Sequence, residues 1–87
     1  MFIKVVLLES KIEEKIYKKH NIKKEEIYNI IFDDYPFYFK TRDKKYLCIG
    51  KYNKYITIIF YLKNNKAEII TAYSSSKWQI KLHKRKN

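Results

Sequence analysis

Tyr55-Ile56-Thr57-Ile58-Ile59-Phe60-Tyr61-Leu62, the turn Lys63-Asn64-Asn65-Lys66 and the return run Ala67-Glu68-Ile69-Ile70-Thr71-Ala72-Tyr73 decide the fold. Both runs are rich in β-branched and aromatic residues, which suit a pleated, half-buried surface. Asn-Asn accepts the left-handed backbone that a tight hairpin turn needs. Strand side chains alternate between faces, so Ile56, Ile58, Phe60 and Leu62 share one face and Tyr55, Thr57, Ile59 and Tyr61 the other. In the return run Glu68, Ile70 and Ala72 alternate with Ala67, Ile69, Thr71 and Tyr73. Two central strands are predicted, apolar on one face and mixed on the other. The mixed face, ending at Thr71 and Tyr73, is where function is expected.

Upstream of the hairpin, Lys45 to Ile49 reads as a strand, with Gly50 and Asn53 supplying the turn that follows. Phe37 to Thr41 reads as a shorter strand with Pro36 at its start, where no ladder donor is needed. Arg42-Asp43-Lys44 is the polar turn between them, and Asp33-Asp34-Tyr35-Pro36 punctuates the chain before both. Lys23 to Ile31 carries helical spacing through Ile27, Ile30 and Ile31, with Glu25 and Glu26 favourably placed in the first turn. An earlier helix opens on Ser10-Lys11-Ile12-Glu13, which matches a capping box, and continues through Ile12 and Ile16 toward Lys19 and His20. Asn21 is its expected stop. Phe2 to Leu8 is a first strand. Downstream, Ser74-Ser75-Ser76 offers caps for a basic helix from Lys77 to Arg85, with Trp78 and Leu82 expected to face the sheet. The order is β-α-α-β-β-β-β-α, an α+β class in which a curled antiparallel sheet packs against helices.

Eighty-seven residues make one small domain, residues 1–87, and 46% apolar content is enough for a packed core. The formal net charge is +11, from 20 Lys and Arg against 9 Asp and Glu. A chain this basic points to a polyanion, because neutralising phosphates releases counterions. A genome biased toward Lys, Ile, Asn and Tyr codons is the other source of such a charge. Cys48 is the single cysteine, so no intramolecular disulfide exists and a buried thiol in a reducing compartment is expected. The opening run is too short for a signal peptide, and no stretch approaches the ~20 apolar residues of a membrane span. A cytoplasmic protein with no membrane partner is expected. Gly50 is the one glycine, which excludes a glycine-rich phosphate loop. Two separated histidines and one cysteine make no zinc site. Neither a metal nor a cofactor is expected.

Four pieces of the chain carry a resemblance. Lys19-His20-Asn21-Ile22, Phe32-Asp33-Asp34, Lys45-Tyr46-Leu47-Cys48-Ile49-Gly50 and Ile69-Ile70-Thr71-Ala72-Tyr73 stand in the order and at the spacings seen in BrnT-type toxins of the RelE-like superfamily. The sequence resembles that family from roughly Lys11 to Arg85 and departs from it at Glu68, Tyr73 and Trp78. The resemblance implies the RelE-like fold. It also implies a toxin of a type II toxin–antitoxin system, a metal-independent endoribonuclease held inactive by a cognate antitoxin. The partners implied are RNA, with ribosome association left open, and the antitoxin, with a homodimer conceivable inside the complex. The alternative is a non-catalytic RNA-binding module of the same fold.

Cleavage of that kind needs a base for the 2′-hydroxyl, cations for the phosphorane and an acid for the leaving 5′-oxygen. His20 is the side chain near the first helix whose pKa range suits proton transfer; otherwise it caps that helix. Thr71 and Tyr73 share a strand face and could orient a phosphate or stack on a base; otherwise they are strand formers. Lys45 and Arg42 are the best cations for the scissile phosphate, Arg42 through its planar fork. Lys18, Lys19, Lys23, Lys77, Lys81, Lys84 and Arg85 are expected to contact the RNA backbone. His83 is expected to be an exposed member of the last helix's basic face.

Overall fold

The central hairpin forms around a turn at Asn64 and Asn65, whose φ angles of 53° and 64° are those of the primed turn that matches strand twist. A computed structural model describes residues 3–32, 37–41 and 43–86. Its elements are β1 (Val5–Leu7), α1 (Ser10–His20), α2 (Lys24–Ile31), β2 (Phe37–Lys40), β3 (Lys45–Tyr52), β4 (Lys54–Lys63), β5 (Lys66–Ser74) and α3 (Lys77–Lys86). Element order and α+β class are those expected. Phe2 and the punctuating residues 33–36 lie outside the described residues.

The five strands lie in the order β1-β5-β4-β3-β2. From β2 to β5 the sheet is antiparallel, but β1 pairs parallel to β5, from Val5 opposite Lys66 to Leu7 opposite Glu68. The sheet is therefore mixed. Alternating hydrophobicity says nothing about pairing direction, so this feature was invisible in the chain. Gly50 corrects the expected β3–β4 turn: it lies inside β3, paired with Ile56, and the turn is made by Asn53 at φ 66°. A Cβ on Gly50 would collide with the Cγ2 methyl of Ile30. Glycine is required there by close helix–sheet approach rather than by a turn.

A second correction concerns β5. Phe60 pairs with Ile69 but Ile59 pairs with Thr71, so Ile70 is an extra residue, a β-bulge. Strict alternation groups Ala67 and Ile69 with Thr71 and Tyr73. Instead Ala67 and Ile69 are buried, and beyond the bulge Ala72 is buried in their place. The core under α1 and α2 joins Ile16, Ile27 and Ile30 to Ile56, Ile58 and Phe60. Tyr46 stacks on Phe60 with centroids 5.8 Å apart, and Tyr38 meets the same ring edge-on at 6.4 Å. The Tyr38 hydroxyl donates to the Ile31 carbonyl at 3.0 Å.

The helix ends follow local chemistry in three places and depart from it in one. Asn21 stops α1 in the left-handed region at φ 55°, its N–H donating to Tyr17 O at 2.9 Å. At α2, Glu26 Oε1 accepts from the Lys23 N–H at 3.0 Å. At α3, Ser76 and Gln79 form a full capping box: Gln79 Oε1 accepts from the Ser76 N–H at 2.9 Å and Ser76 Oγ from the Gln79 N–H at 3.4 Å. The box expected at Ser10 and Glu13 is absent, because Ser10 is already helical and Glu9 holds the cap position without a side-chain bond. Trp78 is also corrected. It is 58% exposed, whereas Gln79 is 3% exposed and turns toward the sheet. The capping box fixes the rotation of α3, and adjacent helical residues diverge by about 100°.

Replacing Gly50 with Ala should lower stability by about 1–3 kcal/mol in urea unfolding, through overpacking against Ile30. That cost should shrink in an Ile30→Ala background, since the two substitutions share one contact. Burial pushes the Cys48 thiol up from 9.0 to about 12. Unfolded thiol ionises first as pH rises, so stability should be intact below about 9 and fall toward about 12. Urea midpoints measured across that range should lose part of their slope in Cys48→Val.

Candidate functional site

His20 is placed by two local facts. It continues the Ile12–Ile16 stripe by one helical turn, which points it toward the sheet, and Asn21 ends the helix immediately after it. The imidazole is thus half-buried where α1 leaves β5. Beside it runs a groove of about 240 Å³ between Lys15, Lys19 and His20 of α1 and Ile70 and Thr71 of β5, with Ile16 beneath. Ile70 and Thr71 are neighbours in a strand and would normally point to opposite faces; the bulge lets both line one groove. The groove lies along an open edge, since β1 covers β5 only from Lys66 to Glu68.

Tyr73 completes the cluster. Its ring centroid is 6.3 Å from that of His20, with the planes at 55°. Its hydroxyl accepts a hydrogen bond from Gln79 Nε2 at 3.0 Å. Thr57, opposite Tyr73 in the ladder, donates to Gln79 Oε1 at 3.0 Å and lies 2.7 Å from Ser75 Oγ. The site therefore joins α1, β5 and the first turn of α3. It presents an imidazole, one hydroxyl and two ammonium groups around the groove, with the Tyr73 ring against the imidazole. Such a set can hold an anion and move a proton beside it.

Of the expected residues, the fold brings His20, Lys19, Thr71 and Tyr73 together. Lys45 is elsewhere: it sits on β3, two strands from β5, with Nζ 5.7 Å from the centroid of Tyr61. Arg42 lies outside the described residues. Lys18 pairs with Glu14 at 2.7 Å on the exposed side of α1, a contact of about 0.3–0.5 kcal/mol that leaves the ammonium in water. Lys23 precedes α2, near Tyr52 and Asn53. Lys77, Lys81, Lys84 and Arg85 are exposed along α3. His83 is half-buried rather than exposed, its ring 5.4 Å from that of Tyr55 and near edge-on. Lys51 and Lys84 approach the same tyrosine at 5.3 and 6.0 Å.

Two site residues escaped the reading of the chain. Lys15 stands one turn before Lys19 and shares its side of α1, a signal available from spacing. Gln79 was legible as the second half of Ser76-Lys77-Trp78-Gln79, a capping-box spelling. Among the described residues no cluster of His, Cys, Asp and Glu is placed to hold a metal ion. No helix among them is long and apolar enough to cross a membrane.

An antiparallel four-strand meander with a parallel edge strand, two helices before it and one after it define an α+β fold with the element order expected from the sequence. Among solved structures the chain is similar to the ribonuclease toxin BrnT of Brucella abortus, with a TM-score of 0.67 and 17% identity over 84% of this chain and 97% of that one. At that identity the likeness is one of fold. No protein-family model matches the chain, and no curated protein matches its sequence.

The left-handed Asn21 sets where α1 ends and hence where His20 sits. Asn21→Val should cost about 1–2 kcal/mol in thermal or urea unfolding, because a β-branched side chain is strained at positive φ. Asn21→Gly should be tolerated.

Proposed function

We propose that this chain, acting as one domain, is the toxin of a toxin–antitoxin pair and cleaves single-stranded RNA in the cytoplasm without a metal. The observation that carries the reading is the convergence of His20 and Thr71 with Lys15 and Lys19 on one groove, with the Tyr73 ring beside His20. The fold shared with a ribonuclease toxin supports it, as does the net charge of +11. In this reading His20 takes the proton of the 2′-hydroxyl, and that oxygen attacks the adjacent phosphorus. Lys15 and Lys19 balance the charge of the phosphorane. Thr71 orients a phosphate oxygen. The bond to the 5′-oxygen breaks, leaving a 2′,3′-cyclic phosphate and a 5′-hydroxyl whose proton comes from water, while His20 returns its own proton to solvent. Lys77, Lys81, Lys84 and Arg85 extend the electrostatic footprint for the RNA backbone, and an antitoxin covers the basic surface in the resting complex.

The placement of Lys45 two strands from the groove favours a second reading, a module that binds RNA without cutting it, because among the described residues it leaves the groove's cations on α1. One assay separates them: a labelled single-stranded RNA, and in parallel an mRNA on ribosomes, incubated with purified protein with and without EDTA. The toxin reading expects EDTA-resistant cutting that falls about 10²–10⁴-fold in His20→Ala, with RNA binding within a few-fold of the original. Thr71→Ala should also slow cutting. Binding with no cutting of either substrate would establish the second reading.

A further inference from the structure

Gln79 is buried, and every polar atom of its side chain is engaged. These contacts fix which way each proton points. The Ser76 N–H can only donate, so the amide atom facing it at 2.9 Å must be the oxygen. The amide nitrogen then faces Tyr73, and because an NH₂ group only donates, the Tyr73 oxygen accepts at 3.0 Å. Thr57 has one hydroxyl proton and gives it to Gln79 Oε1 at 3.0 Å. The 2.7 Å contact between Thr57 and Ser75 is therefore donated by Ser75. The donations run Ser75 to Thr57 to Gln79 to Tyr73, all in one sense. Along that run of Ser75, Thr57, Gln79 and Tyr73, the Tyr73 phenol proton is the hydroxyl proton left over at its end.

We infer that Gln79 is a positioning residue: it turns the Tyr73 hydroxyl into a directed donor toward an oxygen of the scissile phosphate. Hydrogen bonds aligned in one sense polarise one another, so an accepted bond from Gln79 strengthens the bond that Tyr73 donates onward. The inference rests on the ribonuclease reading for its substrate. Its hydrogen-bond sense rests on geometry alone. It also accounts for a glutamine, rather than an aliphatic residue, at the sheet-facing position of a helix whose tryptophan is exposed.

Gln79→Glu tests it with little change of shape, since glutamate serves the same place in a capping box. The carboxylate would be held ionised by three donors, Ser76, Thr57 and Tyr73, and so would take the phenol proton inward. RNA cleavage should lose about tenfold or more in kcat with KM within about twofold, the size expected for one directed hydrogen bond. The loss should disappear in a Tyr73→Phe background. An equal loss in both backgrounds, or none, would overturn the assignment. Ultraviolet Raman spectra of the free protein, taken as differences against Tyr73→Phe, read the Tyr73 hydroxyl without RNA. They should show an accepted bond that Gln79→Glu replaces with a donated one, and a spectrum unchanged by the substitution would sink the inference whatever the RNA assay gives. The expected Raman change in a protein that cuts no RNA would uphold the hydrogen-bond assignment and remove the ribonuclease reading instead.

Discussion

Burial of the β4 face made by Ile56, Ile58 and Phe60 beneath α1 and α2 is the constraint on which the rest of the molecule depends. These side chains are fully removed from water, and each of that size contributes about 1.5–3 kcal/mol when buried. Only helices brought close to the sheet can cover them. That closeness is why Gly50 carries no side chain beneath Ile30 and why Cys48 is sealed in the same layer. It also fixes the height at which α1 ends above β5, and through that the position of His20.

The site is a consequence of how this packing closes at the sheet's edge. β5 must bury Ala67, Ile69 and Ala72 on one side, and three residues at that spacing cannot share a face of a regular strand. The bulge at Ile70 resolves the conflict and turns Thr71 toward the groove together with its neighbour. Beyond it, Tyr73 reaches His20 on one side and Gln79 on the other. A core requirement has therefore shaped a polar cluster on the surface.

Charge plays a separate part. Lys77, Lys81 and Lys84 of α3 and Lys51 near Tyr55 lie on other elements than the groove, and their ammonium groups rest over aromatic rings or in water. They shape the field around the molecule without contributing to its core. Fold stability and polyanion attraction are thus carried by different residues, which lets a domain with a net charge of +11 remain folded.

Local rules in the chain were sufficient for the element order, for the Asn64–Asn65 turn and for the end of α1 at Asn21, since each depends on a few adjacent residues. His20, Lys19, Thr71 and Tyr73 could be singled out because their chemistry and their motifs are visible without coordinates. The direction of β1, the interior place of Gly50, the bulge and the rotation of α3 could not. Each is decided by which of two nearly equivalent arrangements buries more apolar area and leaves fewer polar groups unpaired, a sum taken over residues far apart in sequence. Trp78 and Gln79 make the point. Hydrophobicity favours the tryptophan inward, but only the glutamine can cap α3 and bond both Thr57 and Tyr73, and it is the folded chain that supplies those partners.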